Sequence, residues 1–222
     1  MQWGFPENVS TFGGEIDSIF ALILYVTAAM FVIVEVALIY FLIRYRHREG
    51  AKAEYIHGHR RAEVIWTVVP FLLLALLAFR STKTWLGLKS PDRFPRDALE
   101  LRIHAKQFEW NVTYPGPDGR LDTPDDFVRR NQLHLPVDRA VRVTMTSEDV
   151  IHSFFLPQFR VKQDVVPGME TQVWFQATRT GEFVLGCAEL CGLGHYHMRG
   201  SVTVHTAEDF ERWQRQEAAA SS

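Results

Sequence analysis

The sequence predicts a two-helix transmembrane hairpin followed by an all-β Greek-key sandwich or barrel. Three observations carry this prediction. Two long apolar runs lie in the first ninety or so residues, and a short basic stretch separates them. After them come roughly 120 residues of short alternating segments bounded by turn residues.

Residues 1–16 form an outer N-terminal segment. It has no basic region ahead of the first apolar run and carries Glu7 and Glu15, with Asp17 directly following, so a secretory leader is not expected. From Ile19 to Ile43 every residue is apolar or small except Glu35, the tyrosines and Thr27. From Val64 to Phe79 only Thr67 and Pro70 interrupt the apolar run. A spanning helix needs roughly 20 mainly apolar residues. The first run meets that length, and the second meets it once Glu63 and the stretch through Leu88 reach the interfaces. Both runs are apolar all round, which disfavours a pair of soluble core helices. The hairpin is therefore placed at 17–88, with helices over about 17–43 and 63–88.

The loop 44–62 carries Arg44, Arg46, Arg48, Lys52, Arg60 and Arg61 against Glu49 and Glu54. Short basic loops stay in the cytoplasm. The chain then passes the membrane twice, with its N-terminus and everything after about Leu88 on the outer side. In a bacterial-type cell that is the periplasmic face of the inner membrane. Beyond Leu88 there are 16 Lys/Arg against 19 Asp/Glu, a net −3, which excludes a nucleic-acid footprint and suits a basic protein partner.

Residues 89–205 make the outer domain. "LELRIHAKQFEWNVTY", "AVRVTMTS", "TQVWFQA", "EFVLGCAEL" and "GSVTVH" read as strands, with turns at "YPGPDG", "VPGME" and "TRTGE". Residues 206–222 form a C-terminal helix and tail. Thr206 is its N-cap, Asp209 the return partner, and Phe210 and Trp213 the buried face, with fraying expected in "EAAASS".

The chemistry concentrates in "CAELCGLGHYHM", Cys187 to Met198, which holds both cysteines of the chain. A disulfide between them, possible in an oxidising compartment, leaves His195 and Met198 unexplained. Zinc gains little from a thioether, and the histidine spacing is not that of a zinc finger. A mononuclear blue-copper site has no use for a second thiolate four residues away. Two copper ions bridged by two thiolates use the whole set. Each metal then needs one imidazole and one weak axial ligand. The loop supplies Cys187, Cys191, His195 and Met198. "SEDVIHSFFLP" offers His152, at the end of a strand-like run, as the second imidazole. The backbone carbonyl of Glu189 is the simplest second axial ligand. Sharing one electron over two nuclei keeps bond lengths nearly constant, and an apolar rim of Phe154, Phe155 and Leu190 limits solvent rearrangement. The expected function is electron transfer.

"CAELCGLGHYHM", preceded by "SEDVIHSFFLPQFRVKQDVVPG", resembles the dinuclear CuA signature of subunit II of cytochrome c oxidases. With the hairpin, the sandwich and the motif order, the resemblance covers most of the chain. It implies a cupredoxin-like CuA domain that receives electrons from cytochrome c, or another separate c-type cytochrome, and passes them to haem in subunit I for reduction of oxygen to water. It implies copper ligation by His152, Cys187, Cys191, His195, Met198 and the Glu189 carbonyl. It also implies a Mg or Mn ion shared with subunit I through the Glu189 carboxylate. Partners are then subunit I, other oxidase subunits and membrane lipid. "AEVIWTVVP" resembles the segment that places a carboxylate, here Glu63, at the mouth of a proton-uptake channel. "AKQFEWNVTY" resembles the aromatic stretch through which electrons enter. Phe108 stands where the family usually has Trp, so Phe108 and Trp110 are both candidates. Glu148 and Asp149 match carboxylates that help dock cytochrome c, and Asp118, Asp122, Asp125 and Asp126 are candidates to extend that patch.

Glu35 reads as a structural interhelical contact. His104, His134 and His205 read as structural residues without partners, and His197 as a non-ligand beside His195. No Cys-x-x-Cys-His occurs, so the donor is expected to be a separate protein. A quinol oxidase subunit would lack these ligands. The CuA-bearing subunit of a nitric oxide reductase, or a membrane-anchored copper-binding chaperone, are the alternatives.

Overall fold

A computed structural model describes residues 4–52 and 55–221, so parts of the N-terminal segment, the basic loop (including Glu54) and the C-terminal tail fall outside it. The chain forms two units. Residues 15–86 make one, and the other combines residues 1–14 with 87–222.

The first unit is a pair of long helices, α1 (Gly13–Arg44) and α2 (Arg60–Lys89). At 1.5 Å per residue each is about 45 Å long or more, enough to cross a bilayer. Their apolar side chains face outward on all sides: Phe31, Leu42, Phe71 and Phe79 are each more than 60% exposed. In water this exposure would be prohibitive; in lipid it is the required surface. Polar contacts join the start of α1 to the end of α2. The Thr84 hydroxyl donates to the Glu15 carboxylate at 2.6 Å, and Arg80 Nη2 donates to Ser18 Oγ at 3.4 Å. Pro70 lies inside α2, where membrane helices tolerate it. His59 caps α2, its Nδ1 accepting from the Ala62 N–H. Glu63 is exposed in the first turn of that helix. Glu35 has no hydrogen-bond or ion-pair partner among the described residues.

The second unit is a ten-strand, cupredoxin-like sandwich. Its strands are β1 (Leu99–Lys106), β2 (Glu109–Tyr114), β3 (Phe127–Arg130), β4 (Gln132–Pro136), β5 (Ala140–Ser147), β6 (His152–Leu156), β7 (Val161–Val165), β8 (Thr171–Gln176), β9 (Gly181–Cys187) and β10 (Arg199–His205). They form two five-stranded sheets, ordered β3-β2-β1-β5-β8 and β4-β10-β9-β6-β7. The β1·β5 and β4·β10 pairs are parallel and the rest antiparallel, so the chain crosses between sheets as a Greek key requires. Burial alternates strictly along β2 and β5, and the inward set fills one core. Leu101, Ile103, Trp110, Val143, Phe154, Phe175, Leu185 and Val202 are all essentially inaccessible to solvent. Each such side chain contributes about 1.5–3 kcal/mol from burial.

The N-terminal segment is part of this sandwich. Val9 exchanges backbone hydrogen bonds with Gln158 and Thr178, and Ser10 Oγ donates to the Phe159 carbonyl at 2.9 Å. At the other end α3 (Ala207–Ser221) is capped as the sequence predicts. Thr206 Oγ1 accepts from the Asp209 N–H at 3.2 Å and donates to its carboxylate at 2.8 Å. The expected fraying of "EAAASS" is not seen through Ser221. Glu217 pairs with Arg129, Gln214 donates to the Pro115 carbonyl, and Ala218 is buried.

The histidines expected to lack partners have them. His134 Nδ1 and His205 Nε2 share a hydrogen bond of 2.8 Å between two parallel neighbours, and Trp213 stacks on His134 with centroids 4.1 Å apart. His104 contacts Thr146 and Glu148.

Candidate metal centre

The site forms where β9 runs out of ladder. Strand β6 pairs with β9 only at Phe154↔Cys187 and Phe155↔Gly186, so Cys187 is the last paired residue of its strand. The following loop returns to β10 through a single 3₁₀ turn at His195–His197, and the Cys187 N–H closes it onto the Met198 carbonyl at 3.1 Å. Gly192 sits at φ 132°, a conformation that excludes a side chain. His152 opens β6, and does not end a strand as the sequence suggested. A further hydrogen bond, Ala188 N–H to the Ser153 carbonyl, joins the His152 strand to the loop at 3.0 Å.

These constraints gather the donor atoms. The two sulfurs are 3.9 Å apart and unbonded, against about 2.05 Å for a disulfide. One ligand atom each from His152, Cys187 and Cys191 lie within 4.8 Å of one another. His195 Nδ1 is 3.6 Å from Cys191 Sγ, Met198 Sδ is 3.7 Å from the same sulfur, and the Glu189 carbonyl is 3.2 Å from Cys187 Sγ. Each sulfur thus has its own imidazole and its own weak donor. His197 lies with its ring tilted against that of Tyr196, both at the exposed edge of the loop.

Electrostatics favour a bound cation here. Burial opposes ionisation of Cys187, yet contacts with His152 and backbone groups pull its thiol below the ordinary range. At Cys191 burial, and then the charge on Cys187, push the thiol up. The pair therefore carries one negative charge readily and a second only if positive charge lies between them. Burial also penalises a charged His152, but Cys187 and Asp149 outweigh it and raise its affinity for a proton. His152 is fully buried, its Nε2 lies 2.9 Å from Asp149 Oδ1, and its Nδ1 has no hydrogen-bond partner. A buried imidazole nitrogen without a partner costs free energy unless something accepts its lone pair. Soft thiolates, imidazoles and a thioether in one pocket fit copper.

The remaining sequence candidates scatter. Trp110 is fully buried behind His152, with ring centroids 6.1 Å apart, and also packs on Phe154. Phe108 is half-buried over the loop, so close that a Cβ on Gly194 would lie 2.5 Å from its ring. Glu148 is exposed and 3.2 Å from His104 Nε2. Asp149 lies at the surface with its carboxylate 2.9 Å from His152 Nε2. The acidic loop is largely committed: Asp122 forms a two-pronged pair with Arg102 at 2.7 and 2.9 Å, while Asp125 and Asp126 hold Thr123. Glu63 belongs to the helical unit. Sequence reasoning missed Gln107, whose Nε2 donates to the Cys191 carbonyl at 2.5 Å. Its place beside Phe108 in the aromatic stretch was the available signal.

A two-helix membrane anchor and a cupredoxin-like sandwich, with thiolates, imidazoles and a thioether at its rim, define a membrane-bound metalloprotein of the electron-transfer class. Residues 1–84 match the family model for the transmembrane domain of cytochrome c oxidase subunit II, and residues 123–205 match that for its periplasmic domain. The alternative cytochrome c oxidase subunit 2 of Bradyrhizobium diazoefficiens is 33% identical, the alignment covering 97% of this chain and 84% of that protein. The cytochrome c oxidase subunit 2 of Thermostichus vulcanus is also 33% identical, over 96% of this chain and 78% of its own. Among solved structures, the periplasmic domain of subunit II of the Bradyrhizobium japonicum cytochrome oxidase is 31% identical. That match covers 58% of this chain and 99% of the other, with a TM-score of 0.49. The chain belongs to the cytochrome c oxidase subunit II family, the copper-binding subunits through which electrons enter haem–copper oxidases.

Proposed function

We propose that this chain receives single electrons from a c-type cytochrome at a dinuclear CuA centre and delivers them to haem in subunit I, where oxygen is reduced to water. The observation that carries this reading is the pair of unbonded sulfurs 3.9 Å apart, with His152 on one side and His195 on the other. Cys187, Cys191, His152 and His195 would be the principal residues holding the metal pair, with Met198 and the Glu189 carbonyl as weaker donors. When bound, the copper pair supplies a redox centre that gains and loses one electron with little rearrangement.

The protein's own contribution is rigidity and exclusion of water. Trp110 packs on His152 and is itself backed by Phe154, and the Cys187–Met198 backbone hydrogen bond closes the loop that carries both sulfurs. Phe108 lies on the loop with part of its ring at the surface, and we assign it the position through which electrons enter; Trp110, wholly buried, is packing behind the ligand. Exposed Leu190, Leu193 and Tyr196 surround the site, and Glu148 supplies negative charge for a basic donor. The Glu189 side chain is exposed and would reach a Mg or Mn ion at the subunit I boundary. Glu63, at the start of α2 and on the cytoplasmic side by the basic-loop rule, would sit at the mouth of a proton path.

The test is rapid mixing of the assembled oxidase with a reduced c-type cytochrome. The proposal expects the copper absorbance to bleach before haem is reduced, and expects Cys191→Ser to abolish that phase and slow haem reduction. Haem reduction at the wild-type rate in Cys191→Ser would contradict it.

A further inference from the structure

Two neighbouring carboxylates, Glu148 and Asp149, look alike in the sequence, yet the fold uses them differently. The Glu148 side chain is 59% exposed and pairs with the 46% exposed side chain of His104. The Asp149 side chain is 29% exposed and accepts three hydrogen bonds: His152 Nε2–H at 2.9 Å, its neighbour Val150 N–H at 2.6 Å, and Gln107 N–H at 2.7 Å. Gln107 in turn donates its side-chain Nε2–H to the Cys191 carbonyl at 2.5 Å. Next to it the Phe108 ring lies against Gly192 and Gly194.

We infer that Asp149 is a positioning residue for His152 and that, with the Gln107–Phe108 turn between β1 and β2, it forms a clasp holding the two halves of the metal centre in register before metal arrives. The inference rests on the dinuclear copper reading for the identity of the metal, but its core statement concerns the metal-free chain.

The donors come from two places distant in sequence, His152 at the start of β6 and the loop from Cys187 to Met198. The β6–β9 ladder ends at Cys187 and one more hydrogen bond, from Ala188 to Ser153, follows it, so the β6 side holds only the first residues of the loop. The clasp closes that gap through a continuous path: His152 to Asp149, Asp149 to the Gln107 backbone, and the Gln107 side chain to Cys191. Phe108 adds a steric stop, since a Cβ on Gly192 would lie 3.3 Å from its ring and 2.7 Å from Gln107 Nε2.

A neutral imidazole donates from one nitrogen and accepts at the other, and a carboxylate can only accept. Asp149 therefore holds the proton on His152 Nε2 and leaves the Nδ1 lone pair free. Nδ1 is the buried atom without a hydrogen-bond partner, on a ring that also interacts with Cys187. Carboxylates behind ligating histidines commonly set ring orientation in this way, and their loss costs about 10–100-fold in metal affinity. Of the two carboxylates, then, Glu148 faces the donor and Asp149 faces the ligand.

The test uses the full-length chain in detergent, with Asp149→Asn and Glu148→Gln, which each remove one negative charge. Asparagine keeps the shape but presents one acceptor and one donor where two acceptors are needed. In metal-free chain labelled with ¹⁵N-histidine at alkaline pH, His152 should be Nε2-protonated in wild type and Glu148→Gln. In Asp149→Asn the Nδ1-protonated form should become populated. Copper affinity should fall about 10–100-fold in Asp149→Asn, with altered hyperfine splitting, and change less than twofold in Glu148→Gln. Gln107→Leu should alter the copper spectrum while leaving the His152 tautomer in place. An unchanged tautomer and unchanged copper affinity in Asp149→Asn would overturn the inference. Because the tautomer is read without metal, wild-type chain that fails to bind a copper pair would sink the functional reading alone.

Discussion

Gly194→Ala would place a methyl group where the Phe108 ring already lies. Gly194 has φ −91° and ψ 9°, which any residue can adopt, so only the surroundings forbid a side chain. A Cβ there would lie 2.5, 2.7 and 2.8 Å from Cδ2, Cε2 and Cγ of Phe108. Cγ is fixed to the ring's own stem, so the ring cannot swing its tip aside; either Phe108 or the metal loop must move. Overpacking of this kind costs about 1–3 kcal/mol. Against it stands the ordinary gain of about 0.4–1 kcal/mol from replacing glycine where the backbone is compatible. The net expectation is a loss of roughly 0.5–2 kcal/mol in the metal-free chain. Phe108→Ala removes the obstacle, so in that background Gly194→Ala should become neutral or stabilising, giving a coupling of about 1–3 kcal/mol. Urea unfolding of the four chains in detergent, followed by near-ultraviolet circular dichroism, measures this directly. If Gly194→Ala stabilises the chain while Phe108 is present, the ring does not lie on the loop, and the clasp and the place where electrons enter both fail.

Three other outcomes are expected. Met198→Leu should retain copper but shift its reduction potential and slow electron transfer, because a weak axial donor tunes more than it holds; complete loss of metal on spectroelectrochemical titration would remove Met198 from the axial role. Glu63→Ala in the assembled oxidase should slow steady-state oxygen consumption without altering the copper spectrum, and unchanged turnover would leave Glu63 a helix-terminal charge. The third concerns His134, whose affinity for a proton is lowered to a pKa of about 4 by burial, then by His205 and Arg129. Since the folded value lies below the unfolded value of about 6.5, its stabilising contribution is present above that pH and is lost as pH falls towards 4. After allowance for partial exposure this amounts to about 1–2 kcal/mol. His134→Gln should therefore flatten the fall in Tm between about pH 7 and pH 5, and a slope equal to wild type would refute the assignment.

Much of this was legible from residues alone, for identifiable reasons. Membrane helices announce themselves because lipid demands apolar side chains on every face, as between Ile19 and Ile43. The metal loop is legible because its donors fall within twelve residues. What escaped depends on contacts between distant segments. Strands β3 and β4 are short and separated only by Asn131 at φ 58°, so no alternating run marks them. "LELRIHAKQFEWNVTY" reads as one strand but folds as the hairpin β1–β2, whose turn at Gln107–Phe108 carries no glycine or proline. His134 and His205 lie seventy-one residues apart, and nothing local predicts their hydrogen bond. Asp149 and Glu148 are the same kind of residue in one dimension; only the position of His152 Nε2 separates them.

The claim on which the whole account turns is that two thiolates hold two coppers sharing one electron. Full-length chain loaded with copper in detergent, counted for metal per chain and recorded by electron paramagnetic resonance, tests it most directly. The account predicts about two coppers per chain and hyperfine splitting from one unpaired spin distributed equally over both nuclei. One copper per chain with splitting from a single nucleus, or a zinc ion that copper cannot displace, would contradict it.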